Sequence, residues 1–189
     1  EKNIPIPFVD WEEVAALGGI ISSVNDMGKW MIFNMDHGII GKDTLLTSAS
    51  RNTIWKMHNT YTVDHTKPND FNTHFRGYGL GWGLADYYGK LRVSHGGGYD
   101  GMISAVNMIP DEKLGVVVLT NGMKAPTMAV TYYALNAFLG ACRTFLILNS
   151  GAFPFLLTFE IVNFVFVYYV ALISMYDSIS VQCKCQKKQ

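Results

Sequence analysis

The sequence predicts an α+β domain in which helices cover an antiparallel sheet. Two segments with apolar residues at helical spacing come first, and each begins at a residue suited to capping a helix. Short alternating segments separated by turn residues follow between about residues 78 and 120, and a further helical segment comes after them. Of the 189 residues, 49% are apolar, which is enough for one sizeable core.

Charge and cysteine content exclude several classes of protein. The 15 basic and 15 acidic residues cancel, so we expect no nucleic-acid partner. The three cysteines form no recognisable disulfide framework, and Cys183-Lys184-Cys185 lacks the spacing of a zinc site. Four histidines are scattered through helix ends and a loop: His37, His58, His65 and His74. We therefore expect no metal ion and no cofactor.

Helical periodicity predicts three helices. The first runs from about Val24 to Asp36, with Ser23 and Asp26 as a capping box. The second runs from Thr47 to roughly Met57, and the third from Thr127 to Leu139. A stripe of methionines gives the first helix an apolar face: Met27, Met31 and Met35. This pattern is typical of a helix that packs on a core.

Between the second and third helices the pattern changes to that of a sheet. Asn59 to Arg76 is polar and aperiodic, which predicts a long surface loop. Tyr78 to Leu84 alternates bulky residues with glycines, which predicts a strand with one bulky and one nearly bare face. Met102 to Ile109 and Leu114 to Thr120 predict a hairpin that turns at residues 110–113.

A strand that runs into His95-Gly96-Gly97-Gly98 is the most informative stretch. Leu91 and Val93 alternate with polar residues, and a regular strand would place His95 on their face. Because glycine has no Cβ, its N–H can come close to a ligand. The stretch is therefore either a site where main-chain donors and an imidazole face a substrate, or a hairpin corner with a packed histidine.

Residues 142–189 differ in character from residues 1–141, which we take as the domain. Glu160 is the single charged residue in a long apolar stretch, and residues 153–175 could cross a bilayer. Three lysines follow, so a spanning helix would place the C-terminus inside. Pro154 and Asn163 weaken such a helix. The alternative is that the tail is translated non-coding or out-of-frame sequence.

Four segments together resemble the C-terminal half of the beta-lactamase-related serine hydrolases. The family includes class C beta-lactamases, penicillin-binding proteins, and related esterases and D-aminopeptidases. The resemblance extends from about Pro5 to Gly140 and implies a partial beta-lactamase/transpeptidase-like fold. It depends on Gly18-Gly19-Ile20-Ile21-Ser22-Ser23-Val24-Asn25-Asp26-Met27-Gly28-Lys29-Trp30, Gly77-Tyr78-Gly79-Leu80-Gly81-Trp82, Ser94-His95-Gly96-Gly97-Gly98 and Gly115-Val116-Val117-Val118-Leu119-Thr120-Asn121.

The resemblance implies acyl transfer on a small-molecule or peptide-like substrate. In this family a motif on a strand of the sheet faces the substrate, and here it matches His95-Gly96-Gly97. His95, Gly97 and Gly98 are then the expected catalytic residues, with the Gly98 N–H as an oxyanion donor. Gly96 and Tyr99 are the expected substrate contacts. The family also implies an extracytoplasmic or membrane-associated location.

The chain departs from the family pattern at the nucleophile. It contains no Ser-x-x-Lys, and Thr53-Ile54-Trp55-Lys56 has that spacing with a threonine. No Tyr-x-Asn occurs, nor does Tyr-x-Ser within the region of resemblance. Together with a start at Glu1 that is neither a methionine nor a signal peptide, this predicts a serine-hydrolase fragment that is inactive alone. The alternative is a non-catalytic lactamase-like binding module or a membrane-anchored one.

Overall fold

The computed structural model describes residues 4–7, 12–67, 69 and 71–139, together with the backbone of residues 169–174. This part of the chain has a 3₁₀ helix, Glu12–Leu17, and three α-helices: α1 (Val24–Met35), α2 (Ser48–Ile54) and α3 (Thr127–Phe138). Its strands are β1 (Ile39–Ile40), β2 (Asp43–Thr44), β3 (Asn59–Tyr61), β4 (Arg76–Tyr78), β5 (Gly83–Tyr87), β6 (Lys90–Tyr99), β7 (Met102–Ile109), β8 (Leu114–Thr120) and β9 (Tyr169–Ser174).

Strands β3 to β9 form one sheet in sequence order, and every neighbouring pair is antiparallel. Two-residue turns join β5 to β6 and β6 to β7, because Tyr87 pairs with Lys90 and Tyr99 pairs with Met102. Strands β1 and β2 form a separate small hairpin. The α+β class predicted from the sequence is confirmed, and β7 and β8 have the predicted bounds.

The predicted capping box starts α1 as expected. The Asp26 N–H donates to the Ser23 hydroxyl oxygen at 3.2 Å, and the same hydroxyl donates to the Asp26 carboxylate at 3.0 Å. This satisfies a backbone donor that the first helical turn cannot pair internally. The methionine stripe then faces the sheet, where Met31 and Met35 are buried.

The sheet has a core on each face. On one face, which we call the α1 face, α1 packs over β8 and β9. The buried residues of the core on this face are Met31, Met35, Trp82, Leu84, Val93, Val106, Met108 and Val117. On the other, which we call the α3 face, α3 packs over Tyr87, Ile109, Leu114, Val116 and Val118. Strand β8 is therefore apolar towards both faces, as a central covered strand must be.

The predicted strand from Tyr78 to Leu84 is wrong, because the chain turns between β4 and β5. Gly81 takes a φ of +79°, a backbone conformation that favours glycine, and this lets the chain reverse. Leu80 at the turn is 53% exposed, whereas Trp82 after it is buried. The bulky residues therefore do not share one face.

Two other boundaries differ from the sequence prediction. Helix α2 ends at Ile54 rather than near Met57, since Leu80 donates its N–H to the Ile54 carbonyl at 2.9 Å. The predicted long loop is also shorter at its start, because Asn59–Tyr61 pairs with β4. Strands this short carry too few residues for alternation to identify them.

Most of the predicted membrane-spanning helix, residues 153–175, lies outside the described residues. The exception is Tyr169–Ser174, where the structure has a strand paired with β8 instead of a helix. A continuous apolar run fits either a strand or a helix, and its periodicity does not distinguish the two. In the described part of the chain, no helix has the length and apolar character needed to cross a membrane.

Candidate active site

The His95-Gly96-Gly97-Gly98 stretch lies in the second half of β6, where that strand loses one neighbour. Strand β5 pairs with β6 only as far as Gly83 opposite Ser94. Strand β7 continues to pair with β6 as far as Tyr99. One edge of the stretch is therefore open among the described residues, and the residues from His95 to Gly98 are exposed.

The register determines which amides point to this open edge. In an antiparallel ladder, the N–H and C=O of each residue point to one neighbour, and successive residues alternate. Residues that flank a two-residue turn bond to each other, so Tyr99 bonds to β7. The same alternation directs Gly97 to β7. It leaves the N–H groups of Gly96 and Gly98 directed to the open edge.

His95 lies on the α1 face, as the alternation with Val93 predicted. Its partner across the ladder is Val106, which is buried in the core of that face. The imidazole meets the Trp82 ring edge to face, with 6.4 Å between centroids and 82° between planes. The indole therefore supports one side of an exposed imidazole at the border of the helix-covered core.

Ser104 explains why residue 97 is a glycine. It pairs with Gly97 across β6 and β7, so both residues point to the α1 face. A Cβ at residue 97 would lie 2.5 Å from the Ser104 hydroxyl oxygen. Residue 98 differs, since a Cβ there would have no atom of the described chain within 4 Å. The Ser104 side chain therefore occupies the space that a Cβ at residue 97 would need, whereas a Cβ at residue 98 would meet no described atom.

Tyr99 ends β6 and is half-buried, immediately before a turn in which Gly101 has a φ of +85°. The structure thus brings His95, Gly96, Gly97, Gly98 and Tyr99 into one continuous strand end. Two neighbours of this site, Trp82 and Ser104, were not among the residues predicted from the sequence. Trp82 is an aromatic residue within a glycine-rich segment, which is a usable signal, whereas Ser104 differs from its neighbours only as a polar residue within an apolar strand.

The structure also gives a reason why the threonine of Thr53-Ile54-Trp55-Lys56 does not replace the family's serine. Thr53 lies within the short helix α2, and its hydroxyl donates to the Ala49 carbonyl at 3.0 Å. That bond back to the preceding turn satisfies the hydroxyl proton within the helix. The described residues therefore combine a histidine and open main-chain donors with no serine in the family's nucleophile motif.

Comparison with known proteins identifies the family. The beta-lactamase family profile matches residues 2–139. The unguisins hydrolase ungD of Aspergillus violaceofuscus (strain CBS 115571) is 31% identical over 156 residues, which cover 77% of this chain and 25% of that protein. The unguisins hydrolase ungD' of Aspergillus campestris (strain IBT 28561) is 30% identical over 117 residues, which cover 62% of this chain and 20% of that protein. No solved structure gives a significant match.

The chain therefore spans a quarter or less of the length of these two curated relatives, both of which are named as hydrolases. The match to the family is nevertheless extensive within the chain itself. It includes every described helix and every described strand from β1 to β8. Since the profile covers far more than half of these 189 residues, this chain belongs to the beta-lactamase family.

Proposed function

We propose that this chain supplies one wall of a hydrolase active site that transfers an acyl group from an ester, an amide or a β-lactam-like substrate. The observation that carries the proposal is the exposed end of β6, where the N–H groups of Gly96 and Gly98 are directed to an edge that β5 leaves open and the exposed His95 imidazole lies beside them on the α1 face. Membership of the beta-lactamase family and relatives named as hydrolases support it. The substrate is a small molecule or a peptide-like chain.

The main-chain donors of β6 suit the charge that develops in acyl transfer. Attack on a carbonyl turns its oxygen into an oxyanion, which N–H donors stabilise. The N–H of Gly98 is directed to the open edge, and residue 98 has no side chain that would keep a substrate away from it. One such donor contributes roughly 3 kcal/mol to the stability of the transition state. Gly97, whose N–H is directed to β7, is assigned as the residue that makes room for Ser104.

The imidazole of His95 gives this strand end a side chain that can carry a positive charge or relay a proton. It is exposed on the same face as Val93 and is supported by Trp82 at 6.4 Å between centroids. As a cation it stabilises the oxyanion, and as a neutral base it relays a proton. The dependence of kcat/KM on pH distinguishes the two roles, since the first requires the protonated ring and the second the neutral ring.

The nucleophile comes from outside this chain in our proposal. The sequence contains no Ser-x-x-Lys, and the Thr53 hydroxyl is engaged within α2. The chain alone is then inactive, which fluorophosphonate labelling tests directly. We expect no labelled serine, whereas a serine that is labelled and protected by a substrate ester would contradict this part of the proposal.

A chimera tests the catalytic role of the wall. We would replace the matching segment of the Aspergillus violaceofuscus hydrolase with this chain and measure the hydrolysis of unguisins. We expect the chimera to hydrolyse them. We expect His95→Ala to lower kcat/KM by about 10² to 10⁴, the usual contribution of a group that transfers a proton.

The matched control in that chimera is His37→Asn. His37 has a φ of +57°, which asparagine tolerates well, and it lies beyond the end of α1. We expect hydrolysis by this variant to equal that of the parent chimera. The proposal fails if a folded chimera is inactive, or if His95→Ala and His37→Asn have the same effect.

The absent Ser-x-x-Lys favours one second candidate, a non-catalytic module that uses the same strand end to bind an anionic or peptide-like ligand. The chimera separates the two candidates, because a binding module restores no hydrolysis. A folded, inactive chimera whose Gly96 and Gly98 amide signals shift on titration with a methylphosphonate monoester would favour the binding module.

A further inference from the structure

A second cluster of side chains lies beside β3 and β4, at one end of the sheet, whereas β6 is its middle strand. The rings of His65 and His74 stack with 6.4 Å between centroids and 20° between planes. Both line a groove of about 340 Å³ at the β3–β4 edge. The remaining lining residues are Met57, Thr60, Tyr61, Thr62, Val63, Phe75 and Arg76. The proposed acyl-transfer function uses none of these residues.

Asp86 of β5 fixes one of the two imidazoles. The Nδ1 of His74 and the Oδ2 of Asp86 are 2.9 Å apart, while the Asp86 Oδ1 accepts the N–H groups of His74 and Phe75 at 2.7 and 2.8 Å. Although partial burial acts to raise it, these hydrogen bonds hold the pKa of Asp86 below its ordinary value. An Nδ1–H bound to a carboxylate leaves the lone pair of Nε2 free.

This carboxylate–histidine pair is the arrangement that supports metal-bound imidazoles. A ligating histidine usually donates its second ring N–H to a carboxylate, which orients the ring and raises its basicity. His74 is half-exposed, so its Nε2 can be reached from solvent. His65 is exposed beside it, and the adjacent Asp64 carboxylate is paired with the Lys67 ammonium at 3.8 Å.

The two rings lie close enough for side-chain rotation to bring them onto one metal ion. Zinc–nitrogen bonds measure about 2.0–2.1 Å and the ligands are tetrahedral, so two imidazoles on one ion have ring centroids roughly 5–5.5 Å apart. The observed 6.4 Å between the stacked rings is longer, and rotation of the exposed His65 side chain directs both Nε2 lone pairs at one ion. Arg76, which also lines the groove, places its guanidinium over the Tyr61 ring at 5.4 Å. This cation–π contact holds it on an aromatic surface of the groove.

We propose that His65 and His74 bind a divalent transition-metal ion such as Zn²⁺, and that Asp86 positions the His74 ring for this. Water completes the coordination, since the described residues contain no cluster of three or more His, Cys, Asp or Glu side chains suited to a metal. Two imidazoles favour zinc, nickel or copper over magnesium or calcium. The bound ion joins the His65 and His74 side chains, both of which lie between β3 and β4. The contact of His74 with Asp86 connects this pair to β5.

Calorimetric titration of the full chain with ZnCl₂ tests the site. Cys142, Cys183 and Cys185 are alkylated first, because thiolates also bind zinc. We expect one site, weaker than a four-ligand structural zinc site. We expect His65→Gln and His74→Gln each to weaken binding at least about tenfold, because each removes one of only two protein ligands.

His37→Asn is the matched control, and we expect it to bind Zn²⁺ as the parent chain does. A measurement on the unsubstituted chain guards against misfolded variants: Co²⁺ should shift the ring signals of His65 and His74 far more than those of His58 and His95. The proposal is overturned if the chain binds no Zn²⁺ at about 1 mM, a very weak affinity for a metal site. It is equally overturned if both glutamine variants bind like the parent, or if Co²⁺ shifts another histidine most.

Discussion

At the scale of single residues, the three glycines of β6 have different surroundings although they are identical in sequence. Gly96 and Gly98 direct their amides to the open edge, whereas Gly97 lies under the Ser104 hydroxyl. A glycine in a strand is usually unfavourable by roughly 0.5–1 kcal/mol relative to alanine. Each of these glycines therefore costs stability, and only at Gly97 does a neighbouring side chain account for it.

We expect Gly97→Ala and Ser104→Ala to be energetically coupled. The new methyl group would lie 2.5 Å from the Ser104 hydroxyl oxygen, so the hydroxyl must rotate away. Such a forced rearrangement costs about 1 kcal/mol. In the Ser104→Ala background the clash is absent, since the Ser104 Cβ lies at 3.9 Å. Urea unfolding of the two single variants and the double variant measures the coupling free energy.

Gly98→Ala provides the control for this cycle. No atom of the described chain lies within 4 Å of a Cβ at that residue, so we expect no coupling with Ser104→Ala. A coupling free energy near zero at Gly97, or one of equal size at Gly98, would contradict the packing explanation.

At the scale of elements, a hydrogen bond between buried side chains joins β5 to α3. The Tyr87 hydroxyl donates to the Asn136 Oδ1 at 2.5 Å, and Tyr87 is fully buried. Arg92 of β6 adds a hydrogen bond to the Tyr132 hydroxyl at 2.8 Å and lies over both aromatic rings. The contact thus fixes the position of α3 along the sheet by polar as well as apolar interactions.

Burial raises the pKa of Tyr87 above its ordinary value of 10.0. The phenol ionises more readily in the unfolded chain, so its contribution to stability is complete below about pH 10 and is lost as the pH rises towards the folded-state pKa. We expect Tyr87→Phe to make the free energy of unfolding fall less steeply above about pH 10. Urea unfolding across this pH range measures the slope.

The same variant has a cost at neutral pH. It leaves the Asn136 oxygen without its donor in a buried position, which we expect to destabilise the fold by about 1–3 kcal/mol. Tyr133→Phe serves as the control because Tyr133 lies on the same helix and is 54% exposed. If Tyr87→Phe and Tyr133→Phe changed the pH dependence of the free energy of unfolding equally, Tyr87 would not be the group that causes the loss of stability at high pH.

At the scale of the whole molecule, the sheet divides the described residues into two cores that share β8. Helix α1 approaches the sheet closely, because a Cβ at Gly115 would lie 3.0 Å from the Met31 sulfur. Met31 is fully buried and belongs to the core on the α1 face. This core includes Val93 and Val106, which lie next to His95 in the sheet. The stability of the α1 face therefore supports the geometry of the candidate site.

We expect Met31→Ala to destabilise the protein by about 2–5 kcal/mol, because it leaves a cavity between α1 and the sheet. Met128→Ala is the matched control, since this helical methionine is 45% exposed and should change stability by less than about 0.5 kcal/mol. Thermal unfolding of both variants measures the difference. Similar losses in both would mean that α1 does not contribute the packing described here.

Much of the fold could be predicted from the sequence wherever the signal is local. The capping pair Ser23–Asp26 spans three residues, and the hairpin Met102–Thr120 consists of two apolar segments on either side of its own turn. The chain reversal at Gly81 was missed because alternation continues across it and only the backbone conformation reveals it. The short strand Asn59–Tyr61 was missed because its pairing partner comes much later in the chain.

By itself the sequence determined the α+β class, the caps of α1 and α2 and the bounds of β7 and β8, and it located the His95–Gly98 stretch, because these depend on neighbours a few residues apart. Only the tertiary structure decided that β5 ends at Gly83, so that the amides of Gly96 and Gly98 are directed to an open edge. It alone placed Ser104 over Gly97 and brought His65 beside His74. Register and side-chain packing across strands depend on contacts between distant segments, and no local pattern encodes them.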